Sequence, residues 1–211
     1  MELIQKKDLM FIGNLILMTN RQISELSHND WLSYKSKNIS KLRNSYPNFN
    51  FDVRFEIMKN VKDIVDEEGI TLYLANGALL GAVRDKDFIK WDDDVDLDIL
   101  AEEMIPKYDI IKNKLIDMGY IVRGITEFPK MKINVYHSGE KVGMLAIYLN
   151  GDMRHRGPYQ WPKKIYDEYE DIDFRGVNFN TPKIKEYLIH QYGENWKIPL
   201  KENYFTKGLF K

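Results

Sequence analysis

Apolar residues recur along this chain at helical spacing in some stretches and in the alternation of strands in others. From Phe51 to Glu68, Ile57, Val61, Ile64 and Val65 share one helical face, and Gly69 follows where a C-terminal cap belongs. Ile70-Thr71-Leu72-Tyr73-Leu74 reads as a buried strand, Ala75-Asn76-Gly77 as a break, and Ala78 to Arg84 as a short helix. Trp91 to Asp98 follows as an acidic strand, and Tyr108 to Met118 as an amphipathic helix carrying Ile111, Leu115 and Met118 and closed by Gly119. Tyr120 to Arg123, Met131 to Tyr136 and Met144 to Leu149 are predicted strands, the last two joined by His137-Ser138-Gly139-Glu140 as a hairpin. A second hairpin is predicted over Ile172 to Phe179, and Pro182 opens a helix running to Tyr192. The expected fold is α/β (α+β): a mixed β-sheet flanked by helices.

The apolar run from Leu9 to Met18 is too short to span a bilayer, and no small-residue cleavage site follows it. It is expected to form a helix packed on the domain, which leaves peripheral membrane association open. A polar stretch rich in Ser, Asn and Lys runs from 27 to 48. Residues 1–50 therefore read as an N-terminal helical extension and 51–211 as the domain.

Chemistry concentrates between Asn76 and Asp98. In a strand, Asp94, Asp96 and Asp98 point to one face while Val95, Leu97 and Ile99 point to the other. Same-face Cα atoms lie roughly 6.5 Å apart, so two carboxylates can converge on one cation at about 2.1 Å from each oxygen. Without a cation, the carboxylates repel one another. Oxygen-only ligands favour Mg²⁺ or Mn²⁺. Asn76-Gly77 complements the acids, because a glycine turn entering a helix presents N–H groups and the positive end of the helix dipole to phosphate. Arg84 and Lys86 lie just beyond it and are candidates to clamp phosphate oxygens. An EF-hand spacing starting at Asp92 fails where Leu97 stands in place of the glycine of the sharp turn.

Composition narrows the classes. The 211 residues are 44% hydrophobic, enough for one core, and 31 Lys+Arg nearly cancel 32 Asp+Glu. No overall field draws the chain to nucleic acid. The absence of cysteine excludes disulfide frameworks and thiolate metal sites, and a reducing, cytoplasmic setting is the expectation. With four histidines, a His-based triad is not expected: His137 reads as a turn residue and His190 as a helix-face residue. General-base work then falls to an Asp, with Asp92 the first choice. Arg154 and Arg156, among aromatic residues up to Trp161, form either a substrate-binding surface or an ordinary loop anchored by Trp161.

The runs Asn76-Gly77-Ala78-Leu79-Leu80-Gly81-Ala82-Val83-Arg84 and Phe88-Ile89-Lys90-Trp91-Asp92-Asp93-Asp94-Val95-Asp96-Leu97 closely resemble the signature of the LicD family. That family includes bacterial phosphocholine transferases and, more distantly, fukutin and fukutin-related protein. Thr181-Pro182-Lys183 and Tyr192-Gly193-Glu194-Asn195-Trp196-Lys197-Ile198-Pro199 are similar to the segment that closes the family's domain. The resemblance runs from about Phe55 to Pro199. It implies a nucleotidyltransferase-like fold and Mg²⁺-dependent transfer of a phosphocholine-like phospho-alcohol group from a CDP-linked donor to a hydroxyl of a cell-surface carbohydrate. It also implies that Asp94 and Asp96 hold the metal with Asp92 beside them, and that the Gly77 turn and Arg84 serve the donor phosphates. Asp98 has no constant counterpart.

The resemblance further implies a third metal carboxylate from a later strand, at the position that Ala146 matches best and Asn134 less closely. Neither carries charge. Either Asp98 or Asp152 substitutes, or the donor completes the shell, or activity is lost. Transfer of a nucleotidyl group to a small acceptor, and an inactive nucleotide- or glycan-binding module, stay open beside the first reading.

Overall fold

The computed structural model describes residues 10–12, 15–17, 20–34 and 49–199. The chain enters through strands β1 (Met10–Ile12) and β2 (Leu15–Leu17), which pair antiparallel, followed by helices α1 (Asn20–Ser24) and α2 (His28–Tyr34). The helix expected over residues 9 to 18 is thus a hairpin over the described residues. Among the described residues of the extension, helix covers Asn20–Ser24 and His28–Tyr34, and the extension docks on the domain through Ser24, whose hydroxyl accepts a hydrogen bond from the Val122 amide at 2.8 Å. Arg123 donates to the Ser24 and Leu26 carbonyls at 3.0 and 2.8 Å.

Helix α3 (Phe51–Glu67) starts where Asn50 Oδ1 accepts from the Val53 amide at 3.1 Å. Its buried stripe is Ile57, Met58, Val61, Ile64 and Val65. Each such side chain contributes about 1.5–3 kcal/mol by leaving water. Strand β3 (Leu72–Leu74), helix α4 (Asn76–Arg84) and strand β4 (Val95–Leu100) follow, then the short helix α5 (Ala101–Met104) and helix α6 (Tyr108–Asp117). Helix α6 buries Tyr108, Ile111, Leu115 and Ile116, while Met118 lies past its end and is exposed. Next come strands β5 (Ile121–Ile125), β6 (Lys132–His137), β7 (Glu140–Asn150), β8 (Met153–Arg156) and β9 (Tyr159–Pro162). Helix α7 (Lys164–Asp167), strands β10 (Glu170–Phe174) and β11 (Val177–Thr181), and helix α8 (Ile184–Tyr192) complete the described chain.

The main sheet runs β10-β11-β3-β4-β7-β6-β5, with β8 and β9 extending from β7 as an antiparallel ribbon. It is mixed: β3–β4 and β6–β7 are antiparallel, while β4–β7 and β11–β3 are parallel. The β6–β7 hairpin closes through Ser138 and Gly139, both at positive φ (48° and 85°), as a two-residue turn requires. Strand β7 begins at Glu140, four residues earlier than the apolar run suggests. Glu140 accounts for the difference. It is buried on the α3 side of the sheet, where Arg54 Nε donates to its Oε2 at 2.7 Å and the Asn50 amide to its Oε1 at 2.8 Å. Arg54, fully buried, also faces the rings of Phe49, Phe51 and Phe88 at 4.9 to 5.6 Å.

Removing one partner of a buried ion pair strands the other charge. Arg54→Leu is expected to lower stability by about 3–5 kcal/mol, and Glu140→Gln by less because an amide still accepts a hydrogen bond. Urea unfolding midpoints of the two variants check the order.

Candidate active site

The acidic strand starts at Val95 rather than Trp91. A turn at Lys90 and Trp91, closed by the Asp92 amide donating to the Ile89 carbonyl at 3.0 Å, is followed by irregular backbone at Asp92, Asp93 and Asp94 that leads into β4. Adjacent Asp residues are poor strand formers, and this segment is held instead by Arg54, whose Nη1 donates to the Asp92 carbonyl at 3.0 Å. One carboxylate oxygen from each of Asp92, Asp93 and Asp94 lies within 4.8 Å of the others. Gly81 seats the same loop on α4, since a Cβ there would meet the Asp87 carbonyl at 2.5 Å.

Parallel pairing of β4 with β7 decides what faces the acids. Asp96 is opposite Gly143, and Gly143 is in turn opposite Asn134 on β6, so the three form one row across three strands. A Cβ at Gly143 would lie 2.7 Å from Asp96 Oδ1 and 3.2 Å from Asn134 Oδ1. Glycine there leaves a gap bordered by two oxygens, and Asn134 Oδ1 is buried without a hydrogen-bond partner. Lys141, one residue before the Val95–Val142 pair, ion-pairs with Asp94 Oδ2 and lies 3.9 Å from Asp96 Oδ1. Burial and the Asp94 charge push the Asp96 carboxyl up from the usual range. Asp92 is raised to about 6, by burial first and by Asp94 next. Burial works against the Lys141 charge, but Asp96 and Asp94 outweigh it and hold the ammonium above the usual lysine range.

Asp98 belongs to a different structure. It is fully buried, accepts from Tyr166 Oη at 2.7 Å on one oxygen and ion-pairs with Arg156 through the other. Arg156 Nη2 donates to Asn76 Oδ1 at 2.9 Å, and Tyr187 Oη donates to the same oxygen at 3.0 Å. Burial disfavours the Arg156 charge, yet the neighbouring Asp98 carboxylate holds it above the ordinary guanidinium range. Arg156 also lies over the Tyr159 and Trp161 rings at 5.6 and 5.3 Å. This network fixes Asn76, at φ 52°, as the first residue of α4 and so sets where the helix N-terminus points.

The candidates therefore divide. Asp92, Asp94, Asp96 and the Asn76-Gly77 helix start gather around one end of β4. Arg156 reaches that end but is committed to Asp98 and Asn76. Arg154 is buried and bound by both oxygens of Glu102 at 2.7 and 2.9 Å, so its role is to hold the ribbon. Arg84 pairs with both oxygens of Asp85 at 2.7 and 2.8 Å, and Lys86 is exposed at φ 58°. His137 is exposed at the hairpin turn and His190 contacts the Gln160 carbonyl at 2.7 Å.

Ala146 is opposite Ile99 on the apolar face, where no side chain reaches the acids. Asn134 takes the place on the acidic face. Asp152 lies in the turn after Asn150, seven strand residues past Gly143 and so roughly 23 Å along β7. Neither it nor Asp98, whose two oxygens are engaged, can supply the third carboxylate.

Residues 69–184 match the family model described as LicD/FKTN/FKRP, nucleotidyltransferase domain. The chain belongs to the LicD family. It is 32% identical over 173 residues to protein RP689 of Rickettsia prowazekii, covering 74% of this chain and 64% of that protein. It is 30% identical over 140 residues to protein RT0683 of Rickettsia typhi, covering 66% of this chain and 41% of that one. The chain thus spans less than two thirds of the length of either relative. Two solved structures of ANT(2'')-Ia are similar as well. The solution structure aligns at TM-score 0.46 and 13% identity, over 63% of this chain and 66% of that one. The crystal structure in complex with adenylyl-2''-tobramycin aligns at 0.47 and 16%, over 65% and 72%. The chain is a mixed-sheet protein of a nucleotidyltransferase-fold transferase family, and among its described residues no helix is long and apolar enough to cross a membrane.

Gly143→Ala places a methyl against Asp96 and Asn134. The expected result is a loss of about 1–3 kcal/mol in stability, typical of overpacking, with Asp96 turned from its present position. Chemical denaturation checks the first and a structure of the variant the second.

Proposed function

We propose that this chain is a metal-dependent transferase that moves a phospho-alcohol group from a CDP-activated donor to a carbohydrate hydroxyl. One observation carries the reading: an open carboxylate pair, Asp94 and Asp96, shares one end of β4 with the N-terminus of α4, a place for a cation beside a place for phosphate. Family membership supports the same class.

The residues fit a hard divalent cation. The donors are all oxygens, Gly143 leaves a gap beside Asp96, and the buried Asn134 Oδ1 lacks a partner there. Asp94 and Asp96 would hold Mg²⁺ or Mn²⁺, with Asn134 as a neutral third oxygen. The ion, when bound, would offset charge on the phosphate oxygens.

The chain's own groups supply the rest. N–H groups at the start of α4, oriented by the Asn76–Arg156–Asp98 network, receive donor phosphate, while Lys86 lies past the other end of that helix. Asp92 accepts the proton of the acceptor hydroxyl as its oxygen bonds to the distal phosphorus and the bond to the departing CMP breaks. A carboxyl raised to about 6 is a stronger base than an ordinary aspartate while remaining largely ionised at neutral pH. The uncharged Asn134 and the resident Lys141 favour one competitor, a nucleotide- or glycan-binding module without turnover.

A panel of CDP-alcohols with Mg²⁺, assayed for CMP release, separates these readings. Turnover is expected, and Asp94→Asn or Asp96→Asn should lower it by about a hundredfold or more with the fold intact by circular dichroism. Near-normal rates in either variant would refute the metal assignment, and binding without CMP release would favour the competitor. Asn134→Asp should tighten Mn²⁺ binding by about tenfold in a calorimetric titration, because a carboxylate replaces an amide oxygen.

A further inference from the structure

The ion pairs that Asp94 and Asp96 make among the described residues are both with Lys141. The cations close by are spoken for elsewhere: Arg156 by Asp98 and Asn76, and Arg54 by Glu140 and the Asp92 carbonyl. Lys141 reaches the acids because of strand register. It lies on β7 one residue before the partner of Val95, beside Asp94, and its backbone is fixed on the other side by pairing with Tyr136. Only 17% of its side chain is exposed, against 28% for Asp94 and 33% for Asp96. The ammonium therefore sits in the position where a cation shared by the two carboxylates would be found.

An ammonium and a divalent ion cannot both occupy that position. Each needs the same carboxylate lone pairs, and they repel each other at short range. Lysine suits a removable occupant, since its single charge rides on a flexible four-carbon stem and leaves without disturbing the strand. We propose that Lys141 is the resident counter-ion of this site, holding Asp94 and Asp96 together in the metal-free protein and setting metal affinity by competing with the incoming ion. The inference rests on the reading of Asp94 and Asp96 as metal ligands and adds a residue that opposes the metal.

Two consequences follow. The metal-free protein avoids the repulsion of unpaired carboxylates, and a divalent ion binds with a penalty equal to the ammonium's displacement. Once displaced, the ammonium stays tethered beside the cation site, where phosphate oxygens are its natural next partner. Donor phosphate would then recover part of the penalty, so metal and donor bind better together than singly.

The test is calorimetric titration of the intact chain with Mn²⁺ alone. Lys141→Met should bind Mn²⁺ about tenfold or more tightly than wild type, and Lys141→Arg, which keeps the charge, should remain within about threefold of it. Thermal melts should show Lys141→Met less stable than wild type without metal and gaining more from added Mn²⁺. Should Lys141→Met fail to fold without metal, the wild type carries the test: the Lys141 side-chain signals in selectively labelled protein should shift on addition of Mg²⁺, and unmoved signals at a saturating concentration would overturn the proposal. Equal Mn²⁺ affinity in wild type and Lys141→Met, with binding lost in Asp96→Asn, would overturn the role of Lys141 alone. No Mn²⁺ binding in either protein would overturn the metal reading and this inference with it.

Discussion

Negative charge gathered on one strand and its approach governs this structure. Asp92, Asp93, Asp94, Asp96 and Asp98 lie within seven residues, and such a cluster folds only if each carboxylate finds compensation or water. The fold grades the solution by depth. At the buried end, Asp98 is matched by Arg156 and Tyr166. In the middle, Lys141 bridges Asp96 and Asp94. At the open end, Asp93 is exposed and Asp92 is placed through its carbonyl by Arg54. Compensation is thus fixed where water is absent and removable where the site opens.

Two arginines, Arg54 and Arg156, link core to site. Arg54 neutralises Glu140 at the start of β7 and steadies the Asp92 turn, so the strand that carries Lys141 and Gly143 and the loop that carries the acids share one anchor. Arg156 joins Asp98 to Asn76, which ties the direction of α4 to the same strand. The aromatic residues Tyr166, Tyr187 and Trp161 cover this second anchor, with ring centroids 5.9 to 6.2 Å apart, and keep water from the ion pair. Charged residues here act as structural parts whose geometry the site inherits.

Much of the frame was legible from pattern alone. Helical periodicity marked α3 and α6, Pro182 marked α8, and strand-forming runs bounded by turn residues marked β5, β6 and the β10–β11 hairpin. The acidic motif was legible because its chemistry is local; Asn76 and Gly77, read as a break before the helix, are the first two residues of α4. Three features were not. The β8–β9 ribbon was ambiguous, since Arg154 and Arg156 look like surface residues until Glu102 and Asp98 are found beneath them. The early start of β7 was hidden by a buried glutamate and a glycine. Hairpin pairing at the N-terminus replaced a helix because a short apolar run has no period to distinguish the two.

The sequence by itself determined residue types and local motifs: an acidic segment, an Asn-Gly pair at the start of a short helix, no cysteine, and the motif of the LicD family. Those properties depend on residue type and on neighbours a few positions away. Only the tertiary structure decided partnership across strands. The β4–β7 register set Gly143 and Asn134 beside Asp96 and Lys141 beside Asp94, and it turned Ala146 to the opposite face. Register depends on distant packing, and a shift of one residue would exchange the two faces. No local reading of either strand could assign Lys141 to the acids.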